Sequence, residues 1–175
     1  MLTKLNHDLD DSSEVLAISD EQINEKESPS LRLKPLKLTF GQIMIMRGKM
    51  ANLRRTQIIE EQPKQALEKC KTILSKHGFY IISIESHSFG EQFNGAIIGS
   101  AESEIDDNRA GVWVEITGPS EGSQALLVVV AASDDYLFLP VIVKWITDVL
   151  APPVDMTVEE LSERGFDVSK FMPIE

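Results

Sequence analysis

Ala125-Leu126-Leu127-Val128-Val129-Val130-Ala131-Ala132 is the stretch on which the fold turns. A strand with one wet face alternates apolar and polar residues. This run is apolar at every position, so both of its faces need cover. Its three consecutive valines favour extended backbone. The run therefore reads as a central strand with something packed on each side.

Toward the N-terminus, three more strand-like runs precede it, at Phe79–His87, Gln92–Ala101 and Gly111–Thr117. In the last of these, Val112, Val114 and Ile116 share one face, opposite Trp113, Glu115 and Thr117. The breaks are Phe89-Gly90, the acidic loop Glu102–Ala110, and Gly118-Pro119-Ser120-Glu121-Gly122. Connections this short join antiparallel neighbours, because parallel pairing needs a long crossover. Gly95 and Gly99 lie four apart, hence on one face of their strand. A glycine inside a strand marks close approach by another group, here expected to be the preceding helix.

That helix opens near Pro63 and runs up to Gly78. Pro63 suits a first-turn position, and Ala66, Leu67, Cys70, Ile73 and Leu74 form one apolar stripe. Gly78 is placed to close it in a left-handed conformation. Lys76 and His77 stand in the last turn, where positive charge complements the helix dipole. Cys70 is the chain's one cysteine, so no intrachain disulfide forms, and its place in the stripe makes it a small core residue.

Downstream, Asp134–Leu150 groups Pro140, Lys144, Thr147 and Asp148 on one narrow polar stripe, which favours a helix from near Pro140 despite its β-branched residues. Pro152-Pro153 ends it. Thr157 and Glu160 then form a capping box for a short helix stopped by Gly165. Phe166, Val168, Phe171 and Met172 are expected to fold back on the body. The resulting expectation is an α+β domain over 63–151: a four-stranded antiparallel meander packed by an N-terminal amphipathic helix and a C-terminal apolar helix. Residues 152–175 form an extension.

Charge divides the chain before that domain. Residues 1–30 carry eight acids against two bases, a net of −6; residues 31–76 carry eleven bases against three acids, +8; residues 77–175 carry seventeen acids against four bases, −13; these add to the overall −11. Residues 1–30 read as a solvated acidic tail, with Val15, Leu16, Ile18 and Ile23 as scattered apolar residues. Residues 31–62 read as a basic amphipathic arm. Alternation over Leu31–Phe40 suits a strand, and Ile43, Met46, Met50 and Leu53 suit a helix over Gln42–Arg55.

Several functions lose their support at this stage. The sequence contains no HExxH, no CxxC, no P-loop, no GxGxxG and no Gly-x-Ser-x-Gly elbow. No catalytic residue, metal site or cofactor is expected. The N-terminus lacks the apolar core of a secretory signal, and the longest apolar run, Tyr136–Val143, falls well short of the ~20 residues a membrane-spanning helix needs. A cytoplasmic protein without a transmembrane segment is expected.

The expected function is that of a non-enzymatic interaction, adaptor or assembly protein. Its basic, methionine-rich arm and apolar helix would engage another protein chain or a second copy of itself. The candidate interface residues are Arg32, Lys34, Lys37, Met44, Met46, Arg47, Met50, Arg54, Arg55 and Trp145. Trp145 belongs to that set because the apolar girdle around Lys144 exceeds what one sheet face covers. Two alternatives stand beside it. The basic segment 32–55 has the charge to bind nucleic acid or anionic lipid, and the space beside Gly95 and Gly99 is a position for a small ligand.

Overall fold

The all-apolar run lies at the interior of the sheet, with every one of its residues buried, as its composition requires. A computed structural model describes residues 31–154, 157–164 and 166. The elements in chain order are β1 (Leu33–Pro35), α1 (Phe40–Gly48), β2 (Ala51–Ile59), α2 (Pro63–Lys76), β3 (Tyr80–Phe89), β4 (Gln92–Ser103), β5 (Arg109–Pro119), β6 (Ala125–Ser133), α3 (Phe138–Asp148), β7 (Pro153–Val154) and α4 (Val158–Glu163). The strands follow the order β1-β4-β5-β6-β2-β7, with β3 pairing β4 beside β1. All pairs are antiparallel. The fold is α+β, and the β3–β6 meander is present.

The sheet is wider than that meander. β2 pairs with β6 from Ala51↔Ser133 to Ile59↔Ala125, so β6 is flanked on both edges. The helix expected over Gln42–Arg55 ends at Gly48, and its second half is strand. Two things stop it. Lys49 caps the helix, and the Asn52 side chain donates to the carbonyls of Arg47 and Met50, turning the chain. Beyond that point Leu53, Gln57 and Ile59 alternate with Arg54, Thr56 and Ile58, a period of two. The basic arm is therefore part of the sheet rather than an appendage to it. The tail 1–30, Val168, Phe171 and Met172 lie outside the described residues.

One face of the sheet carries α2 and α3. Leu67, Cys70 and Leu74 of α2 are buried against Ile97, Val112, Val114 and Leu127 in a single core cluster with Leu139, Ile142 and Ile146 of α3. Burying each large aliphatic side chain of this kind contributes roughly 1.5–3 kcal/mol. Gly95 sits directly beneath α2: a Cβ there would stand 2.9 Å from a Leu67 methyl. At the C-terminus of α2 the chain reverses through Gly78 at φ +98°, with Phe79 N–H donating to Leu74 O at 3.0 Å. Glu61, buried just before α2, accepts from Ala151 N–H at 3.0 Å and pairs with Lys69, tying the entry of α2 to the exit of α3.

The apolar girdle of α3 is consumed by this packing. Leu139, Pro140, Val141, Ile142, Val143 and Ile146 are all buried. Trp145 stacks on His77, ring centroids 3.8 Å apart and planes 4° apart, joining α3 to the end of α2. The surplus that argued for Trp145 as an interface residue is thus largely spent inside the fold. The charge expected on His77 is also opposed: burial, then the neighbouring charge of Lys76, lowers its pKa. Desolvation outweighs the helix dipole there.

Candidate binding groove on the second face of the sheet

Alternation sends a different set of side chains to the opposite face. The register aligns Arg54, Val130, Trp113 and Ile98 in one row, and Thr56, Val128, Glu115 and Ala96 in the next. The floor is thus apolar at its centre, with two strand-borne charges and an indole.

α1 crosses this face. The chain leaves β1 at one flank and enters β2 four strands away, a distance of about 19 Å at ~4.8 Å per strand. A nine-residue helix covers about 13.5 Å of it. Thr39 opens the helix with a capping box: its hydroxyl accepts from Gln42 N–H at 3.1 Å, while the Gln42 side chain accepts from Thr39 N–H at 2.8 Å. Ile43 and Met46 are buried beneath the helix. Gly111 makes room for it, since a Cβ there would stand 3.3 Å from the Met46 methyl and 3.0 Å from the Trp113 ring. Arg47, one residue on, lays its guanidinium over that ring at 4.7 Å from the centroid. Such a contact contributes about 0.5–2 kcal/mol, the larger figure where water is excluded.

Beside α1 lies an open groove of about 300 Å³, lined by Arg47, Arg54, Ala96, Ile98, Trp113, Glu115, Val128 and Val130. It continues past Arg47, Arg54 and Val130 into a second hollow walled by Met44, Gly48 and Asn52. Several buried polar atoms on this face have no hydrogen-bond partner among the described residues: Arg54 Nε, Trp113 Nε1 and the hydroxyl of the fully buried Thr56. Unpaired buried donors are costly, about 1–3 kcal/mol each. Burial, with the charge of Arg54 added to it, lowers the pKa of Arg47. The outer surface of α1 is apolar and uncovered, with Phe40 56%, Met44 40% and Ile45 63% exposed.

The expected interface residues therefore separate. Met44, Arg47 and Arg54 converge on the groove. Met46 is buried beneath α1, and Met50 is half-buried in the turn after it. Arg32 and Lys34 stand exposed by β1 at the far flank. Lys37 lies 6.0 Å from the Tyr80 ring. Arg55 alternates to the helical face, and Trp145 lies there too. The basic segment is not one continuous patch.

Trp113, Glu115, Val128 and Val130 were not anticipated as site residues. Their signal was the alternation already visible in Val112–Thr117, which assigns Trp113 to the face away from the core. The position beside Gly95 and Gly99 is filled by Leu67, Phe93, Phe79 and Val112, which removes the ground for a small-ligand site there. Cys70 is buried and its thiol is pushed up to about 12, chiefly by desolvation. Among the described residues no three His, Cys, Asp or Glu side chains gather as metal ligands, and no helix is long and apolar enough to cross a membrane. Compared with known proteins, the chain matches no protein family, no curated protein and no solved structure.

Proposed function

We propose that this protein is a non-enzymatic interaction module whose groove receives an acidic, apolar segment of another protein. The observation that carries the reading is the pairing of Arg54 Nε–H and Trp113 Nε1–H, buried donors without acceptors, with an apolar floor of Val128 and Val130. Two guanidiniums, one with its Nε–H unpaired, and the indole N–H call for a ligand rich in acceptors and negative charge. Carboxylates and peptide carbonyls supply both, and leucine or isoleucine side chains match the floor and the exposed face of α1. Nucleic acid fits less well, because Glu115 lines the same groove and residues 77–175 carry −13. A second reading, contact with an anionic membrane, draws on Phe40, Met44 and Ile45 exposed beside Lys37 and Lys49.

The test is titration of the full chain with fluorescein-labelled peptides in which Asp and Glu interleave with Leu and Ile. Single-stranded RNA, duplex DNA and phosphatidylserine vesicles run in parallel. The peptide is expected to bind, with Arg54→Ser weakening it about ten- to a hundredfold, the worth of a charge-assisted hydrogen bond. Arg32→Ser, at the far flank, leaves it unchanged. Preferential binding of vesicles or nucleic acid, or peptide binding indifferent to Arg47→Ser and Arg54→Ser, overturns the reading.

A further inference from the structure

We infer that the groove's first occupant is the chain's own acidic segment 14–23, which competes with the partner proposed above; the inference rests on that reading and specifies its regulation. Three observations meet. Residues 1–30 carry −6 and are tethered to a groove that presents Arg47 and Arg54 against the single Glu115, so opposite charges are held at high local concentration by the chain itself. Segment 14–23 reads Glu14-Val15-Leu16-Ala17-Ile18-Ser19-Asp20-Glu21-Gln22-Ile23, which interleaves carboxylates with Val, Leu and Ile. That is the chemistry the unpaired Arg54 and Trp113 donors and the valine floor select. The reach is sufficient. From β1 to β6 is three strand spacings, about 14 Å. The groove row at Ile98 lies about 17 Å along β4 from Ser103, the partner of Leu33. Leu31 packs on the helical face, so the path also rounds the sheet. The thirteen residues back from Leu31 to Ile18 extend up to about 43 Å.

A tail tethered to its groove lowers the apparent affinity for any outside ligand by the fraction of molecules it leaves open. Neutralising its carboxylates then frees the site.

The experiment uses the full-length chain carrying Trp145→Phe, so that Trp113 is the lone tryptophan reporter. A nitroxide on Ile18→Cys is expected to quench Trp113, and the quenching is expected to fall away with Arg54→Ser and in about 1 M salt, where charges are screened beyond ~3 Å. In parallel, Glu14→Gln/Asp20→Asn/Glu21→Gln is expected to raise affinity for the labelled acidic-apolar peptide about tenfold, corresponding to a tail seated in nine molecules of ten. Absent quenching with equal peptide affinity in both proteins overturns the tail inference and leaves the partner reading standing. Quenching without peptide binding to either protein overturns the partner reading and identifies the tail as a fixed internal clamp. Quenching that disappears on dilution overturns the intramolecular inference in favour of a second copy. Absence of both signals sinks both.

Discussion

Gly78 carries two constraints at once. Its φ of +98° lies in the left-handed region, and a Cβ built there would stand 2.2 Å from the carbonyl oxygen of Leu33. An alanine costs about 1–2 kcal/mol for the backbone alone, and the backbone of β1 has then to move as well. Gly78→Ala is expected to lower stability by more than that figure, read as a shift of the denaturant midpoint at unchanged m. Gly95→Ala is expected to cost less, because the atom it meets, a Leu67 methyl at 2.9 Å, is the end of a flexible side chain. A Gly78 variant as stable as the parent would mean β1 does not sit where the structure has it. The first constraint was legible in the sequence, since a glycine after an apolar helical stripe is a C-terminal cap. The second was not, because it comes from a strand more than forty residues upstream, and residue patterns report local geometry only. Trp113 repeats the lesson: alternation gave its face, but only the passage of α1 overhead made it part of a groove.

The elements divide the same way. α2 was readable from its single helical period, β5 from its alternation, and β6 from an unbroken apolar run bounded by turn residues. Residues 42–59 were not, because Met46, Met50 and Leu53 keep a helical step across a boundary that Lys49 and Asn52 set by local hydrogen bonds. α3 was settled by its polar stripe, and the cover its apolar girdle calls for is provided within the fold by α2, the sheet and His77. The His77–Trp145 stack makes this packing sensitive to pH. Since burial lowers the folded pKa of His77, the folded state prefers the neutral ring. Its contribution is complete above the unfolded value near 6.5 and is lost as pH falls through that value toward the lower folded one. Thermal melts between pH 7 and 5 are expected to show declining stability in the parent and a shallower slope in His77→Phe, which keeps a stacking ring without a proton to gain. Identical slopes would locate the sensitivity elsewhere.

For the whole molecule, the decisive relation is between β2 and β6. An all-apolar strand is tolerable only when both edges are paired and both faces covered, and β2 supplies the second edge. It also supplies Leu53, Ile58 and Ile59, all nearly or fully buried. At roughly 1.5–3 kcal/mol each, these three side chains amount to about 5–9 kcal/mol, against a total stability of about 5–15 kcal/mol for an ordinary domain. The segment that looked like a removable basic arm thus bears on whether the body folds at all. A chain beginning at residue 63 would keep the entire meander, α2 and α3, yet present nine consecutive buried residues of β6 as an open edge. Unpaired apolar edges recruit other chains. That truncation is expected to lose cooperative unfolding and to sediment as aggregate, while the full chain carrying Arg47→Ser and Arg54→Ser still unfolds cooperatively, loses its ligand, and gives up in stability about the 0.5–2 kcal/mol of the Arg47–Trp113 contact. A soluble, cooperatively melting 63–175 fragment would show that the meander stands alone, and that β2 is there for the groove rather than for the sheet.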